Sequence, residues 1–187
     1  GHSFYLHNLK GIVFPGFPDR PWGKGNVPLK DGEKGKFFKK VRTYGGYCFV
    51  SDACRLGWLP VRGWKDRFDP RAESLDGKSM MEKYGTYPES CSDCLLACDR
   101  RKKDGHILPR WTEVMTMGTN LGFFDSEDIE KIVTLTNQEG LDTSVTGGII
   151  GSIIFLGPEK YGQYGFDPSL EGVLAFIKRL SSGSILY

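Results

Sequence analysis

Asp125-Ser126-Glu127-Asp128-Ile129-Glu130-Lys131-Ile132-Val133-Thr134-Leu135-Thr136-Asn137-Gln138-Glu139-Gly140-Leu141-Asp142-Thr143 is the best-marked stretch of the chain. Asp125 or Ser126 can cap a helix, and Glu127 and Asp128 put negative charge in its first turn. Ile129, Ile132 and Val133 fall on one face at helical spacing. Gly140 stops the helix. Asp142 or Thr143 can cap a second helix that runs to Leu156, in which Gly147, Gly148 and Gly151 leave room for another backbone. Two capped helices joined by a short loop predict a mainly α fold.

Outward from this pair the helical signals continue. Asp167 as cap and Pro168 at the first helical position predict a last helix, with Leu170, Val173, Leu174 and Ile177 repeating at helical spacing. Upstream, Trp111 to Leu121 reads as helical and ends at a turn at Gly122. Short helices are expected over Lys36 to Tyr44, stopped by Gly45-Gly46, over Cys48 to Leu56, stopped by Gly57, and over Ser79 to Tyr84. Cys91 to Arg101 is also expected to be helical, and Trp58 to Pro70 to be loop. The first 35 residues hold Pro15-Gly16-Phe17-Pro18 and Pro21-Trp22-Gly23-Lys24-Gly25, which rule out a continuous helix. They read as loop with one strand around Gly11 to Phe14. The expected organisation is a loop-rich lead-in over 1–35 and a helical domain over 36–187, cut from a longer chain.

Composition narrows the function classes. The 187 residues carry 25 Lys and Arg against 23 Asp and Glu, a formal net charge of +2. Such a balance points to neither nucleic acid nor an acidic membrane surface. No apolar run reaches the roughly 18 residues of a membrane span. Gly147 to Leu156 comes nearest and is too short and glycine-rich. No signal peptide opens the chain, and Gly1-His2-Ser3 reads as a tag remnant. The expectation is a soluble, cytoplasmic protein.

Five cysteines are present, Cys48, Cys54, Cys91, Cys94 and Cys98, an odd count that does not suggest a secreted disulfide framework. Cys91-Ser92-Asp93-Cys94-Leu95-Leu96-Ala97-Cys98 is a C-x2-C-x3-C run. This spacing lets three sulfurs reach one 4Fe–4S cubane, each holding one iron. The fourth iron needs another ligand, expected beyond Tyr187; Cys48 and Cys54 are the candidates within the chain. A zinc site is the competing reading, although structural zinc sites usually pair two short knuckles, and no second knuckle exists. Three thiols with no metal is the third. Arg100, Arg101, Lys102 and Lys103 follow. Arg100 and Arg101 either compensate an anionic cofactor or belong to a solvated basic turn; Lys102 and Lys103 read as solvated.

Three segments in order resemble the aldehyde ferredoxin oxidoreductase family. Tyr44-Gly45-Gly46 with Leu56-Gly57-Trp58-Leu59-Pro60-Val61-Arg62-Gly63-Trp64 resembles the family's Y-G-T and G-x-L-P-x-x-N-W. The cysteine run matches in spacing. Gly118-Thr119-Asn120-Leu121-Gly122 and Asn137-Gln138-Glu139-Gly140-Leu141-Asp142-Thr143 resemble G-S-N-L-G and D/N-x-x-G-L-D-T. The likeness runs from about Lys36 to the C-terminus.

The resemblance implies the family's second, helical domain. It implies a tungsten or molybdenum held by two pterins, a tungstopterin, beside one 4Fe–4S cluster. It further implies oxidation of a small aldehyde to a carboxylic acid, with electrons leaving to ferredoxin or another electron-transfer protein, and assembly with the enzyme's remaining domains. Asn137, Gly140, Leu141 and Asp142 would form a pterin-binding loop, where a carboxylate can accept hydrogen bonds from an amine edge. On the residues alone, a helix cap for Asp142 and a helix stop for Gly140 are the better reading; the resemblance reverses that preference. One departure matters: the family's acidic pair falls on Arg110 and Thr112, leaving Glu113, one residue late, as the acid–base candidate. Rival readings are a reductase of the same family, such as one acting on an aromatic thioester, a cluster-bearing subunit without chemistry, and a zinc-stapled interaction module.

Overall fold

The computed structural model describes residues 33–183 apart from 92, 93 and 95. The strand expected near Gly11 to Phe14 and the rest of the lead-in through 32 lie outside the described residues.

Helix α1 spans Glu33–Tyr44, beginning just before the expected start. A 3-10 turn, Gly46–Phe49, leads into α2, Val50–Arg55. The loop that follows contributes Leu59 and Val61, both fully buried. A 3-10 turn, Pro70–Leu75, precedes α3, Gly77–Tyr84. Two short strands, β1 (Tyr87–Glu89) and β2 (Asp99–Arg101), pair antiparallel, with Pro88 opposite Arg100. The expected helix from Cys91 to Arg101 is therefore corrected: the described residues among 91–98 are not helical, and Asp99–Arg101 is a strand. The strand's pairing with β1 supplies the hydrogen bonds a helix would have made.

The stretch from Trp111 is helical, as expected, but it changes pitch. It opens as α4, Trp111–Glu113, widens into a π-helical segment, Val114–Gly118, and tightens into a 3-10 turn, Thr119–Leu121. A π segment inserts a residue into the regular ladder and is frequent at functional sites. Helix α5, Ser126–Gln138, is capped by Asp125, whose carboxylate accepts from the Glu127 and Asp128 amides at 2.8 and 3.4 Å. Ile129, Ile132, Val133 and Thr136 form its buried face. Helix α6, Thr143–Leu156, is capped by Asp142. Helix α7, Pro158–Tyr164, was not anticipated by the sequence, although Pro158 stands at its first position. Helix α8, Leu170–Ser181, is capped by Ser169, not Asp167. Asp167 instead accepts from the Ser169 amide at 2.8 Å and so sets up the true cap.

Close packing joins α6 to the changing-pitch segment. A Cβ on Gly147 would stand 2.5 Å from the Thr116 carbonyl oxygen, and one on Gly151 would stand 2.3 Å from the Asn120 amide nitrogen. These two glycines admit the neighbouring segment as expected; Gly148 instead faces open space. The resembling segments also meet in space. Arg62 and Gly63 donate backbone hydrogen bonds to the Thr119 and Asn120 carbonyls at 3.0 and 2.7 Å. One apolar core, with Tyr47, Leu59, Met117, Ile129, Ile150 and Phe176 inside it, joins α2, α3, the π segment and α5 to α8.

Candidate cofactor site

The loop after α5 closes as its sequence requires. Gly140 takes a left-handed φ of 71°. Its amide donates to the Asn137 carbonyl and the Leu141 amide to the Thr136 carbonyl, both at 3.0 Å. This closure satisfies the last carbonyls of α5 and lets the chain reverse. Asp142 then accepts from the Val145 amide at 2.8 Å. Asn137 and Asp142 are exposed, while Gly140 and Leu141 are half-buried. Leu141 packs against the core, which fixes the loop between its two helices.

The cysteine segment is held differently. The Cys94 amide donates to the Cys91 carbonyl at 3.0 Å, and the Cys98 carbonyl accepts from the Gly46 amide at 2.8 Å. Cys91 and Cys94 are exposed and Cys98 half-buried. Ala97 lies in the left-handed region, at φ 47°, a strained conformation for a residue with a Cβ. Burial, then the neighbouring Asp99 and more weakly Cys94 and Cys91, raises the Cys98 thiol above its ordinary pKa. Among the described residues, no three His, Cys, Asp or Glu side chains stand close enough to hold a metal ion. The donor chemistry nonetheless suits an iron–sulfur group. Three thiols sit on one short segment, two of them open to solvent, and Cys94 and Cys91 both bear on the Cys98 thiol. Cys48 and Cys54 are less suitable as a fourth ligand because both are buried. Burial pushes the Cys48 thiol up to about 11, and the Cys54 thiol donates to the Asp69 carbonyl at 3.4 Å.

Of the basic residues that follow, Lys103 is exposed as expected, whereas Arg100, Arg101 and Lys102 are not simply solvated. Arg100 is 1% exposed. Its guanidinium donates to the carbonyls of Val41 at 2.8 Å, of Arg42, and of Ala97 and Asp99 at 3.4 and 3.3 Å. Burial lowers its pKa, while Cys48, Cys98 and Asp99 favour the charged form. Arg101 pairs with Glu89 at 2.9 Å across the strands. Lys102, expected to be solvated, instead contacts Glu130 at 2.5 Å and lies over the Tyr84 ring.

A cavity of about 460 Å³ lies between the residues that flank the two regions; neither the cysteines nor Gly140, Leu141 and Asp142 are among its lining. Asp99, next to Cys98, lines it together with Pro109, Arg110, Glu113, Glu130 and Asn137. Glu113 is anchored at both oxygens: one accepts from the Arg110 amide at 2.7 Å, the other from the Thr143 hydroxyl at 3.4 Å. It thereby ties the start of α4 to the start of α6. Two contributors escaped the sequence reading. Asp99 meets Arg110 at 3.4 Å, and the buried Tyr47 phenol donates to the Pro109 carbonyl and pins that wall. Asp99 was signalled by its place beside Cys98; nothing local marked Tyr47.

The chain belongs to the aldehyde ferredoxin oxidoreductase family: residues 30–161 match the family model described as aldehyde ferredoxin oxidoreductase, domains 2 and 3. Among curated proteins it is similar to the tungsten-containing aldehyde ferredoxin oxidoreductase of Pyrococcus furiosus, at 28% identity over 80% of this chain and 27% of that protein. It is also similar to the protein of the same name from Thermococcus kodakarensis, at 26% identity over 74% of this chain and 26% of that protein. The chain thus spans about a quarter of the length of these relatives. Among the described residues no helix is long and apolar enough to cross a membrane. The mainly helical architecture and the oxidoreductase family accord with the expectations drawn from the motifs.

Proposed function

We propose that this chain is the cluster- and pterin-facing domain of a tungsten or molybdenum bis-pterin oxidoreductase. In this reading the whole enzyme oxidises an aldehyde and water to a carboxylic acid, two protons and two electrons. The electrons leave singly through a 4Fe–4S cluster to a ferredoxin. The observation that supports it is a cavity lined both by Asp99, the neighbour of Cys98, and by Asn137, in the last turn of α5 just before the Gly140–Asp142 loop. The metal with its two pterins would supply the two-electron chemistry, and the protein supplies position and electrostatics.

Cys91, Cys94 and Cys98 would hold three irons through their thiolates. Asn137 and Asp142 would bind the edge of a pterin. Asp142 caps α6 through one oxygen, and its other oxygen carries no hydrogen bond among the described residues, so capping and ligand binding are compatible. Glu113, on the cavity wall, is the candidate for moving a proton; its two anchors would fix its position against the substrate. The outer face of α6, with Val145 61%, Ile149 42% and Phe155 60% exposed, suits a boundary with neighbouring domains, which would exclude water from the pocket.

Arg110 and Thr112, standing where the family has its acidic pair, favour a second reading: a cluster-bearing electron-transfer subunit without chemistry of its own. One experiment separates the two. The full-length protein purified without oxygen is assayed for iron, sulfide, tungsten, molybdenum and pterin, then for aldehyde oxidation with ferredoxin. The first reading expects all cofactors and turnover, with Glu113→Gln lowering kcat while leaving the fold intact. Iron and sulfide without pterin would favour the second. Stoichiometric zinc in place of iron overturns both.

A further inference from the structure

Arg100 is the largest side chain that the structure buries completely, and among the described residues no carboxylate forms an ion pair with it. The nearby carboxylates are engaged elsewhere: Asp99 turns to Arg110 at 3.4 Å and Glu89 to Arg101 at 2.9 Å. Four backbone carbonyls receive the guanidinium, two of them, Val41 and Arg42, from the last turn of α1. The negative end of a helix dipole meets part of the charge. Nε lacks a hydrogen-bond partner among the described residues. Removing a cation from water without an anion beside it is strongly disfavoured, so an arginine kept in this position calls for a counter-charge.

One proposed cluster ligand belongs to the same packed surroundings as Arg100. A Cβ on Gly45, which has φ 71°, would lie 2.9 Å from the Arg100 Cγ and 2.9 Å from the Cys98 carbonyl oxygen. The adjacent Gly46 amide holds that same carbonyl. Arg100, the end of α1 and Cys98 therefore form one packed unit. An anion attached to the Cys98 sulfur would be tied to a unit that already contains a buried cation.

We propose that Arg100 is the buried counter-charge of the iron–sulfur cluster and raises its reduction potential. This rests on the reading that Cys91, Cys94 and Cys98 hold that cluster. A thiolate-ligated cluster is anionic and gains one further negative charge when it accepts an electron. A fixed cation nearby favours the reduced form more than the oxidised one, and net charge and hydrogen bonding near the sulfurs are established levers on such potentials. The electron comes from aldehyde oxidation and passes to the ferredoxin, twice for each aldehyde. Arg100 exchanges neither proton nor electron and acts as a positioning residue through charge alone.

The test uses the full-length protein purified without oxygen, as wild type, Arg100→Gln and Arg100→Lys. Iron and sulfide are measured first, then the midpoint potential by EPR-monitored titration. The neutral variant is expected to keep its cluster but to lose at least about tenfold in the reduction equilibrium, about 59 mV for one electron. Lysine is expected to keep most of the wild-type potential while losing the four-carbonyl fork. A Gln variant with full iron and an unchanged potential would reduce Arg100 to an anchor for α1. If Gln does not fold, the Lys variant decides: a tenfold shift there overturns an account based on charge. Wild-type protein lacking iron and sulfide would remove the cluster reading itself, an outcome distinct from an unaltered potential.

Discussion

The loop of residues 139–142 and the cysteine-bearing segment ending at Cys98 are both proposed to face a cofactor, yet they are specified in opposite ways. The loop takes its hydrogen bonds from the helices it joins: Gly140 and Leu141 bond back into α5, and Asp142 caps α6. The cysteine segment is fixed from a distance, by the Gly46 amide on the Cys98 carbonyl and by the packing of Gly45 against Arg100. A connection that satisfies its backbone locally is written in its own residues. One anchored by residues some fifty positions away is not.

Mutations at the two regions should therefore fail differently. The largest effect is expected at Cys98. Cys98→Ser in the full-length protein should abolish the reduced-state EPR signal and most bound iron while the helical circular dichroism stays. Retention of stoichiometric iron would remove Cys98 from the ligand set. Next comes the core beneath the loop. Ile132 is fully buried, and Ile132→Ala should cost about 2–5 kcal/mol in denaturant unfolding. A cost below that range would mean that α5 does not anchor the loop.

A smaller effect is expected at the cap. Asp142→Ala should cost about 0.5–2 kcal/mol of stability, whatever it does to a cofactor. The smallest effect separates the cysteines from one another. In metal-free protein at pH 8, iodoacetamide should label Cys91 and Cys94 and spare Cys48. Folding raises the Cys48 thiol from its ordinary value near 9 to about 11, so the folded state holds that proton more tightly. Its contribution to stability is complete below about pH 9 and is lost as the pH rises towards 11. Labelling of Cys48 at pH 8 as fast as that of Cys91 would contradict its burial.

The same contrast explains what could be read in the sequence. Caps, a stop glycine and a helical apolar face placed α5 and α6 to within a residue, because each signal acts within one turn. The capping of α8 was misassigned because Asp167 and Ser169 are both good caps, and only the backbone path chooses Ser169. The helix expected over Cys91 to Arg101 failed because β1 supplies partners that periodicity within the segment cannot reveal. The π segment was likewise hidden, since it shares its apolar spacing with an ordinary helix. In the site, Asp142, Asn137 and Glu113 were visible as residue types. The burial of Arg100 was not, because four consecutive basic residues usually mark a solvated turn.

The central claim is that the two regions serve two different cofactors. The most direct test measures pterin and iron together in full-length Cys98→Ser and Asp142→Ala proteins purified without oxygen. The account predicts that Asp142→Ala loses pterin far beyond its modest loss of stability and keeps its iron, whereas Cys98→Ser loses iron first. Full pterin in a folded but early-melting Asp142→Ala protein would make that residue a helix cap and nothing more, and would contradict the account.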